Sequence, residues 1–383
     1  MASYLQLGHE SWSLLEESDG GSFTGLVLSP VNDDPSYVTN RLAKLGKARA
    51  QLEVILDPQL YNPAADRGQL GQWPYYTSEF ETANHHDEAW WVARGEHVAS
   101  VAAELEVDAI CSPAMYPRKF DDDYYRFVVD VGDETYRRAS RLGVETLLTA
   151  IVPLQELANP RRALDIASIL TETDCERVYL TIVSDDVQQR APMIDASGLA
   201  TAIHMIRLLS ASQRVHVAFC AHDVVLWKAA GATDVSTGKW MNVRRFSPGR
   251  WREEDSMGRQ VPYWNEPQLY ALLRDQDVMR LDREKWFDGR DFTKNPSGER
   301  ILSILRSGSG AAWQKLSWLQ YLRWFTNHEP KFEDPTVAER ALAQSDRKWS
   351  ELDKMRIQMT DRFNDGTHVR LWLNALREGL GRS

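Results

Sequence analysis

The feature that most constrains this chain is a regular alternation of short apolar runs with segments of helical period. Seven runs rich in β-branched and aliphatic residues occupy residues 24–30, 52–58, 107–113, 144–153, 177–186, 214–223 and 232–238. Strands buried on both faces of a parallel sheet have this composition, and strands that alternate with helices form βαβ units. The pattern therefore predicts an α/β fold built on a parallel sheet.

A (β/α)8 TIM barrel needs an eighth strand, and two segments qualify. Residues 3–8 (SYLQLG) would supply it at the start, and residues 259–264 (RQVPYW) would supply it at the end, before a helix over residues 267–281. Either choice gives a barrel over residues 1–293, near the usual size of that fold. An open doubly wound sheet is the alternative, but no GxGxxG turn follows the first strand. We therefore predict a closed barrel.

The chain changes character after the barrel. Residues 294–383 have helical periodicity with no strand-like run between the helices, which predicts an all-helical C-terminal extension. Many of the 14 tryptophans fall in the last third of the chain, where helical spacing is typical of core residues. The extension would cap the barrel, form a homo-oligomer contact or bind another partner.

Composition restricts the partners and the location. A net charge of −10 over 383 residues argues against a general coat for nucleic acid or for a membrane surface. No apolar run is long enough to span a membrane, and the N-terminus lacks a signal-peptide pattern. The three cysteines form no CxxC pair, which favours reduced thiols. These features predict a cytoplasmic protein without a membrane partner.

In a TIM barrel the active site lies at the carboxyl ends of the strands, and this rule selects the candidate residues. Asp57 ends the second run, before a proline, where a carboxylate would act as a general base, a substrate-orienting group or a metal ligand. A carboxylate that caps its own loop is the alternative. Tyr61 and Ser112, at the same edge of the barrel, are candidate substrate contacts.

Two further strand ends carry candidate catalytic groups. His222 follows the sixth run, where an imidazole exchanges protons near neutral pH, although a partly exposed histidine beside a helix cap is the alternative. Asp185 ends the fifth run and would assist, although a solvated loop is the usual place of such a residue. The adjacent His85 and His86 lack the spacing of a metal motif. The sequence thus indicates no metal site and leaves any cofactor unknown.

The segment DVSTGKWMNVRRF is the most basic part of a candidate site. Barrels often bind phosphate through the loops after their seventh and eighth strands. Lys239, Arg244 and Arg245 would hold an anion, and Trp240 would stack on a base or sugar. A Schiff-base lysine and a surface loop paired with nearby acidic residues are the alternatives.

The segment AHDVVLWKAAGATDVSTGKWMNVRRF resembles the corresponding part of tRNA-guanine transglycosylase barrels. In that family a short helix leads to a Gly-x-Asp strand and a loop that carries arginines, and Asp234 lies near that position. The aspartate nucleophile of the family would fall near Ser236 or Thr237, which are not carboxylates. The CxCxxC zinc ligands and the DSGGFQ segment are absent. The resemblance implies a barrel and a nucleobase-type ligand.

These observations predict a TIM-barrel enzyme that acts on an anionic substrate at the mouth of the barrel. The substrate would be a phosphorylated compound or a nucleotide or nucleobase, and the reaction type stays open between transferase and hydrolase or lyase chemistry. The alternative is a barrel without catalysis that serves as a nucleic-acid or protein interaction module.

Overall fold

The fold is described by a computed structural model over residues 2–17, 20–184, 190–251 and 261–381. Eight parallel strands form a closed barrel in the order in which they follow along the chain. They are β1 Ala2–Gln6, β2 Gly25–Leu28, β3 Glu53–Leu56, β4 Ala109–Cys111, β5 Glu145–Pro153, β6 Arg177–Val183, β7 Arg214–Val217 and β8 Asp234–Thr237. The predicted (β/α)8 TIM barrel is therefore confirmed.

The barrel closes through β1, which pairs with β2 on one side and with β8 on the other. Of the two candidate eighth strands, residues 3–8 are thus the correct choice, and residues 261–264, the described part of the other candidate, are not part of the barrel. Instead Trp264 begins β9 (Trp264–Glu266), which pairs in antiparallel fashion with β10 (Ala271–Leu273). The helix predicted over residues 267–281 is wrong in its first half, because a left-handed Tyr270, at φ 49°, turns the chain into β10.

Helices follow most of the barrel strands. The helices of the barrel are α1 Pro35–Leu45, α2 Glu88–Glu104, α3 Asp122–Ser140, α4 Pro160–Leu170, α5 Ala196–Leu209 and α6 Val224–Ala229. Asp or Asn caps the first five of them, and each of these side chains accepts a hydrogen bond from a backbone N–H of the first turn. Such caps satisfy donors that a helix start leaves free, so each βα loop ends at a defined residue.

The rest of the described chain is helical after β10. Its helices are α7 Asp275–Arg283, α8 Pro296–Ser307, α9 Gln314–His328, α10 Pro335–Lys354 and α11 Thr367–Gly379. α11 packs against α5 of the barrel, and Trp372 donates from Nε1 to the carbonyl of Met193 at 2.7 Å. The helices after residue 294 therefore pack on the barrel, while their standing as a separate domain stays a prediction.

Within the described ranges, no helix has both the length and the apolar character that a membrane crossing requires.

A buried ionic network lies at the amino ends of the strands, opposite the predicted site. The guanidinium of Arg177, at the start of β6, contacts Glu53 and Glu145 from Nη1. Its Nη2 lies 3.2 Å from Asp234 and donates to the hydroxyl of Tyr4. Charges this deeply buried require partners. Because residues at this end of a TIM barrel serve stability, we assign the network to holding the barrel together.

Candidate active site

The carboxyl ends of the strands bring most of the predicted residues to one end of the barrel. Asp57 directly follows β3 and Ser112 directly follows β4, while Lys239 lies two residues beyond β8. His222 lies in the loop between β7 and α6. Asp185 lies outside the described residues.

Asp57 is a buried carboxylate held by two hydrogen bonds. The hydroxyl of Tyr61 donates to Oδ2 at 3.0 Å, and the backbone N–H of Gln59 donates to Oδ1 at 3.0 Å. Burial raises the pKa of Asp57 to about 7, and these hydrogen bonds together with the charge of Arg250 limit the increase. A carboxyl group that titrates near neutral pH can both accept and return a proton, which is the requirement for general acid–base catalysis.

Around Asp57 lie buried donors that the described part of the chain leaves without an acceptor. They are Nε2 of Gln59, the hydroxyl of Tyr75 and Nε1 of Trp251. The negative charge of Asp57 helps to raise the pKa of Tyr75, after burial. An unpaired buried donor costs about 1–3 kcal/mol. Gln59 adjoins Asp57 in the loop after β3 and Trp251 packs on Tyr61, so a ligand at this end of the barrel would complete these hydrogen bonds.

Gln59 is oriented by its own surroundings. Its Oε1 accepts from the hydroxyl of Ser29 at 3.2 Å and from the backbone N–H of Val31 at 3.0 Å. Its backbone adopts the left-handed region, at φ 56°, which a side chain other than glycine rarely adopts. This conformation, directly after Pro58, points the backbone N–H at Asp57 and is an instance of local strain beside a candidate site.

An aromatic cluster from four loops lies next to Asp57, and Phe246 is at its centre. The Phe246 ring lies 5.0 Å from that of Tyr61, 5.3 Å from Phe219 and 6.0 Å from Trp251, between ring centroids. Tyr116 lies parallel to Phe246 at 6.4 Å. These five rings place an apolar cluster beside the carboxylate.

Lys239 and Trp240 connect the loop after β8 to the loop after β1. Nζ of Lys239 donates to the carbonyl of Glu10 at 2.8 Å, and Nε1 of Trp240 donates to the carbonyl of His9 at 2.8 Å. The ammonium group also lies 4.9 Å and 4.5 Å from the ring centroids of Trp240 and Trp318. Burial lowers the pKa of Lys239 to about 8. The observed contacts thus stabilise loops, and anion binding by Lys239 stays a prediction.

The three arginines of this loop that the structure describes are all buried, and they differ in their contacts. Arg244 donates to the carbonyls of Gly238 and Lys239, and its guanidinium lies 3.4 Å from the ring centroid of Tyr321. Burial lowers the pKa of Arg244 to about 10. The charge of Arg245 acts on Asp223, and that of Arg250 acts on Asp57. Among these three, Arg250 is therefore the arginine whose charge acts on the candidate acid–base group.

His222 lies among aromatic residues from the helical extension. Its Nε2 is 2.6 Å from Oδ1 of Asn265, and its ring centroid is 4.8 Å from that of Trp324. Burial lowers the pKa of His222 to about 3, so the imidazole is neutral at physiological pH. A neutral ring donates a hydrogen bond from Nε2 to Asn265. No contact between described residues joins it to Asp57, so the two predicted catalytic residues belong to different clusters.

Ser112 connects two strands. Its Oγ accepts from the backbone N–H of Thr149 at 2.9 Å, and its carbonyl accepts from the Thr149 hydroxyl at 2.7 Å. Both bonds join the end of β4 to β5, so Ser112 is engaged within the barrel wall. Its role as a substrate contact stays a prediction.

Sequence reasoning missed several residues that the structure brings to the mouth. Gln59 and Tyr75 belong to the loop after β3. The only signal for a turn there is Pro58, which directly follows Asp57. Tyr321 and Asn265 come from the C-terminal part of the chain, and no pattern in the sequence connects them with the strand ends. Their hydroxyl and amide groups contact Thr237 and His222 respectively.

The fold and the strand-end site define a (β/α)8 barrel protein. Neither the comparison with protein-family models nor the comparison with curated proteins finds a match. In the described part of the chain, no group of three or more His, Cys, Asp or Glu side chains is placed to hold a metal ion.

Two similar solved structures are distant in sequence. An L-ribulose 3-epimerase is 13% identical at a TM-score of 0.39, and the match covers 94% of this chain and 100% of that one. An N-acetylneuraminate lyase from Mycoplasma synoviae is 9% identical at a TM-score of 0.35, with coverage of 98% and 97%. These values are too low to indicate a shared activity, so the barrel assignment rests on the strand pairing of this chain. Neither structure is a transglycosylase, and the resemblance of residues 221–246 to that family stays a prediction.

Proposed function

We propose that this protein is an enzyme that transfers a proton to or from a small anionic substrate at the mouth of the barrel. Asp57 is the acid–base group, and the observation that carries the proposal is its buried carboxyl with a pKa near 7, beside three unpaired donors. A proton acceptor of this kind works best when its pKa is close to the ambient pH. Tyr61 and the backbone of Gln59 orient the carboxylate toward its ligand.

The substrate is anionic and carries a ring. Buried arginines on the loop after β8 favour a negatively charged group, and Arg250 is the one whose charge acts on Asp57. The buried rings of Phe246 and Trp251 belong to an aromatic cluster against which a sugar or nucleobase would pack. A phosphorylated sugar or a nucleobase compound combines both features. The cytoplasmic location and a homo-oligomer formed through the C-terminal helices remain predictions beside this proposal.

Turnover of a defined panel tests the proposal. The full chain is incubated with sugar phosphates and nucleobase compounds, and products are followed by mass spectrometry. We expect Asp57→Asn to lower turnover about 10²–10⁴-fold, which is the usual contribution of a positioned acid–base group. Arg250→Gln is expected to act mainly through a higher KM. Asp130→Asn, at an exposed position of α3, removes an equal charge and is the matched control.

Two results would count against the enzyme. Turnover that survives Asp57→Asn within a factor of ten would remove Asp57 from the chemistry. A wild-type chain that converts none of the panel, but binds oligonucleotides with a steep salt dependence, would favour the interaction module instead.

A further inference from the structure

A second cleft lies on the side of the C-terminal helices. It has a volume of about 840 Å³ and is bounded by α8, α9, α10 and the turn between β9 and β10. None of the candidate residues at the mouth of the barrel, such as Asp57 or Lys239, lines it. Clefts of a few hundred to 1,000 Å³ hold small organic ligands. The cleft is therefore large enough for a ligand and separate from the proposed acid–base site.

Three buried polar atoms in this cleft have no partner among the described residues, namely Oδ1 of the half-buried Asn295 and one atom each of two fully buried residues. The latter two atoms are Nδ2 of Asn265, in a residue that is 1% exposed, and Oγ of Ser345, in a residue that is 2% exposed. The other polar atoms of the Asn265 side chain and backbone are engaged, since Oδ1 contacts Nε2 of His222 and the backbone N–H donates to Oε1 of Gln320. The amide is thus held in place with its donor unused. Leaving such groups unpaired costs free energy, which a ligand with matching polar edges recovers.

The walls of the cleft are aromatic. Trp264 and Phe292 line one part of it and Trp324 another, and the ring of His328 stacks on Trp324 at 5.7 Å with an interplanar angle of 25°. Burial lowers the pKa of His328 to about 4, so this ring is neutral and acts as a further planar surface. Flat apolar walls of this kind suit an aromatic ring system.

Cations without an ion pair among the described residues lie at the rim. They are the exposed Lys294, Lys331 and Arg347, and the charges of both lysines act on His328. The remaining charged groups in the lining include Asp291, which accepts from the backbone N–H of Thr293, and the pair of Lys348 with Glu351. The rim therefore keeps an excess of positive charge that suits a phosphate group.

We propose that this cleft binds a nucleoside monophosphate. Its base stacks on the aromatic walls with a polar edge toward Asn265 and Ser345, and its phosphate contacts Lys294 and Lys331. The two ends of the cleft thus match the two chemically different ends of such a ligand. The site is independent of the acid–base chemistry proposed for Asp57.

Calorimetric titration of the full chain tests this site with AMP, GMP, CMP and UMP, and with adenosine and inorganic phosphate as partial ligands. We expect at least one nucleotide to bind with a Kd below about 1 mM. The matching nucleoside and phosphate alone should each bind at least about tenfold more weakly, because each lacks one half of the contacts.

Variants locate the binding. The double variant Lys294→Ala/Lys331→Ala should weaken nucleotide binding about tenfold through the loss of two phosphate contacts. Ser345→Ala should weaken it about fivefold while leaving the fold intact, because the hydroxyl has no partner in the described chain. The matched control Lys47→Ala/Lys354→Ala removes the same charge from exposed positions outside the cleft and should leave binding unchanged.

Three outcomes would overturn the proposal. They are the failure of all four nucleotides to bind, equal binding of phosphate alone, and nucleotide binding that is insensitive to both cleft variants. Asp57→Asn serves as a further control. Because Asp57 does not line the cleft, this variant should leave nucleotide binding there unchanged, whether or not the proposed enzyme activity is found.

Discussion

Burial, rather than contact with a charged neighbour, brings the pKa of Asp57 close to neutral pH. The sequence places a carboxylate at a strand end, and the fold then surrounds it with Tyr61, Gln59 and the aromatic cluster. Burial shifts the pKa of a base in the opposite direction. It favours the neutral form of His222 and lowers the pKa of this residue to about 3. Both residues are at the predicted end of the barrel, but only Asp57 has a pKa suited to proton transfer at neutral pH.

The raised pKa of Asp57 predicts a specific pH dependence of stability. Between its ordinary value of 3.8 and about 7, the folded protein retains a proton that the unfolded chain has released. The free energy of unfolding should therefore fall as the pH rises through this window, by roughly 4 kcal/mol in total, since one pKa unit corresponds to about 1.4 kcal/mol. Asp57→Asn removes this contribution.

Urea unfolding of the wild type and of Asp57→Asn at several values between pH 4.5 and 8 measures the effect. The difference between the two free energies should shift in favour of the variant as the pH rises. Parallel curves would show that Asp57 titrates at its ordinary pKa. Asp130→Asn, on the exposed face of α3, should run parallel to the wild type.

At the scale of single elements, the two ends of the barrel strands have different tasks. The amino ends carry the ion pairs of Arg177 with Glu53, Glu145 and Asp234, in which Nε of Arg177 and Oδ1 of Asp234 have no hydrogen-bond partner among the described residues. The carboxyl ends carry Asp57 and donors without partners in the described chain. Strand β8 contributes to both ends of the barrel. It begins at the fully buried Asp234 of the ionic network and leads into the basic loop at Lys239.

Removal of Arg177 should destabilise the barrel strongly. Arg177→Met leaves the fully buried carboxylate of Asp234 with only one of its two arginine partners, and the loss of a buried partner costs about 3–5 kcal/mol. Arg214→Met removes the other partner, whose side chain is 48% exposed, and should cost no more than about 1 kcal/mol. Chemical denaturation compares the two variants, and equal losses would contradict a structural role that depends on burial.

At the scale of the whole molecule, the helical extension and the barrel share one packed structure. α9 reaches the mouth of the barrel through Tyr321, whose hydroxyl lies 2.9 Å from that of Thr237 at the end of β8. α11 covers α5, and Gly379 allows the close approach of the two helices. The residues that complete the mouth thus come from both parts of the chain.

A methyl group at Gly379 should separate α11 from α5. A Cβ atom there would lie 2.5 Å from the carbonyl oxygen of Ala200 and 2.8 Å from the side chain of Ile203. We expect Gly379→Ala to lower the free energy of unfolding by about 1–3 kcal/mol, the usual cost of overpacking. Glu378→Ala, at the exposed neighbouring position, should change it by less than about 0.5 kcal/mol. Equal stabilities in a denaturant titration would show that this helix contact contributes little.

The sequence by itself determined the barrel. Strands buried on both faces are continuous apolar runs, and their regular alternation with helical segments identifies the fold. It also placed Asp57, Ser112 and Lys239 at strand ends, since that position depends only on chain order. Tertiary structure decided which strand closes the barrel, that Arg244 stacks on Tyr321, and that Asp57 accepts from Tyr61 while His222 contacts Asn265. Burial and pairing between distant segments set these contacts and the resulting pKa values, and neither leaves a local pattern in the sequence.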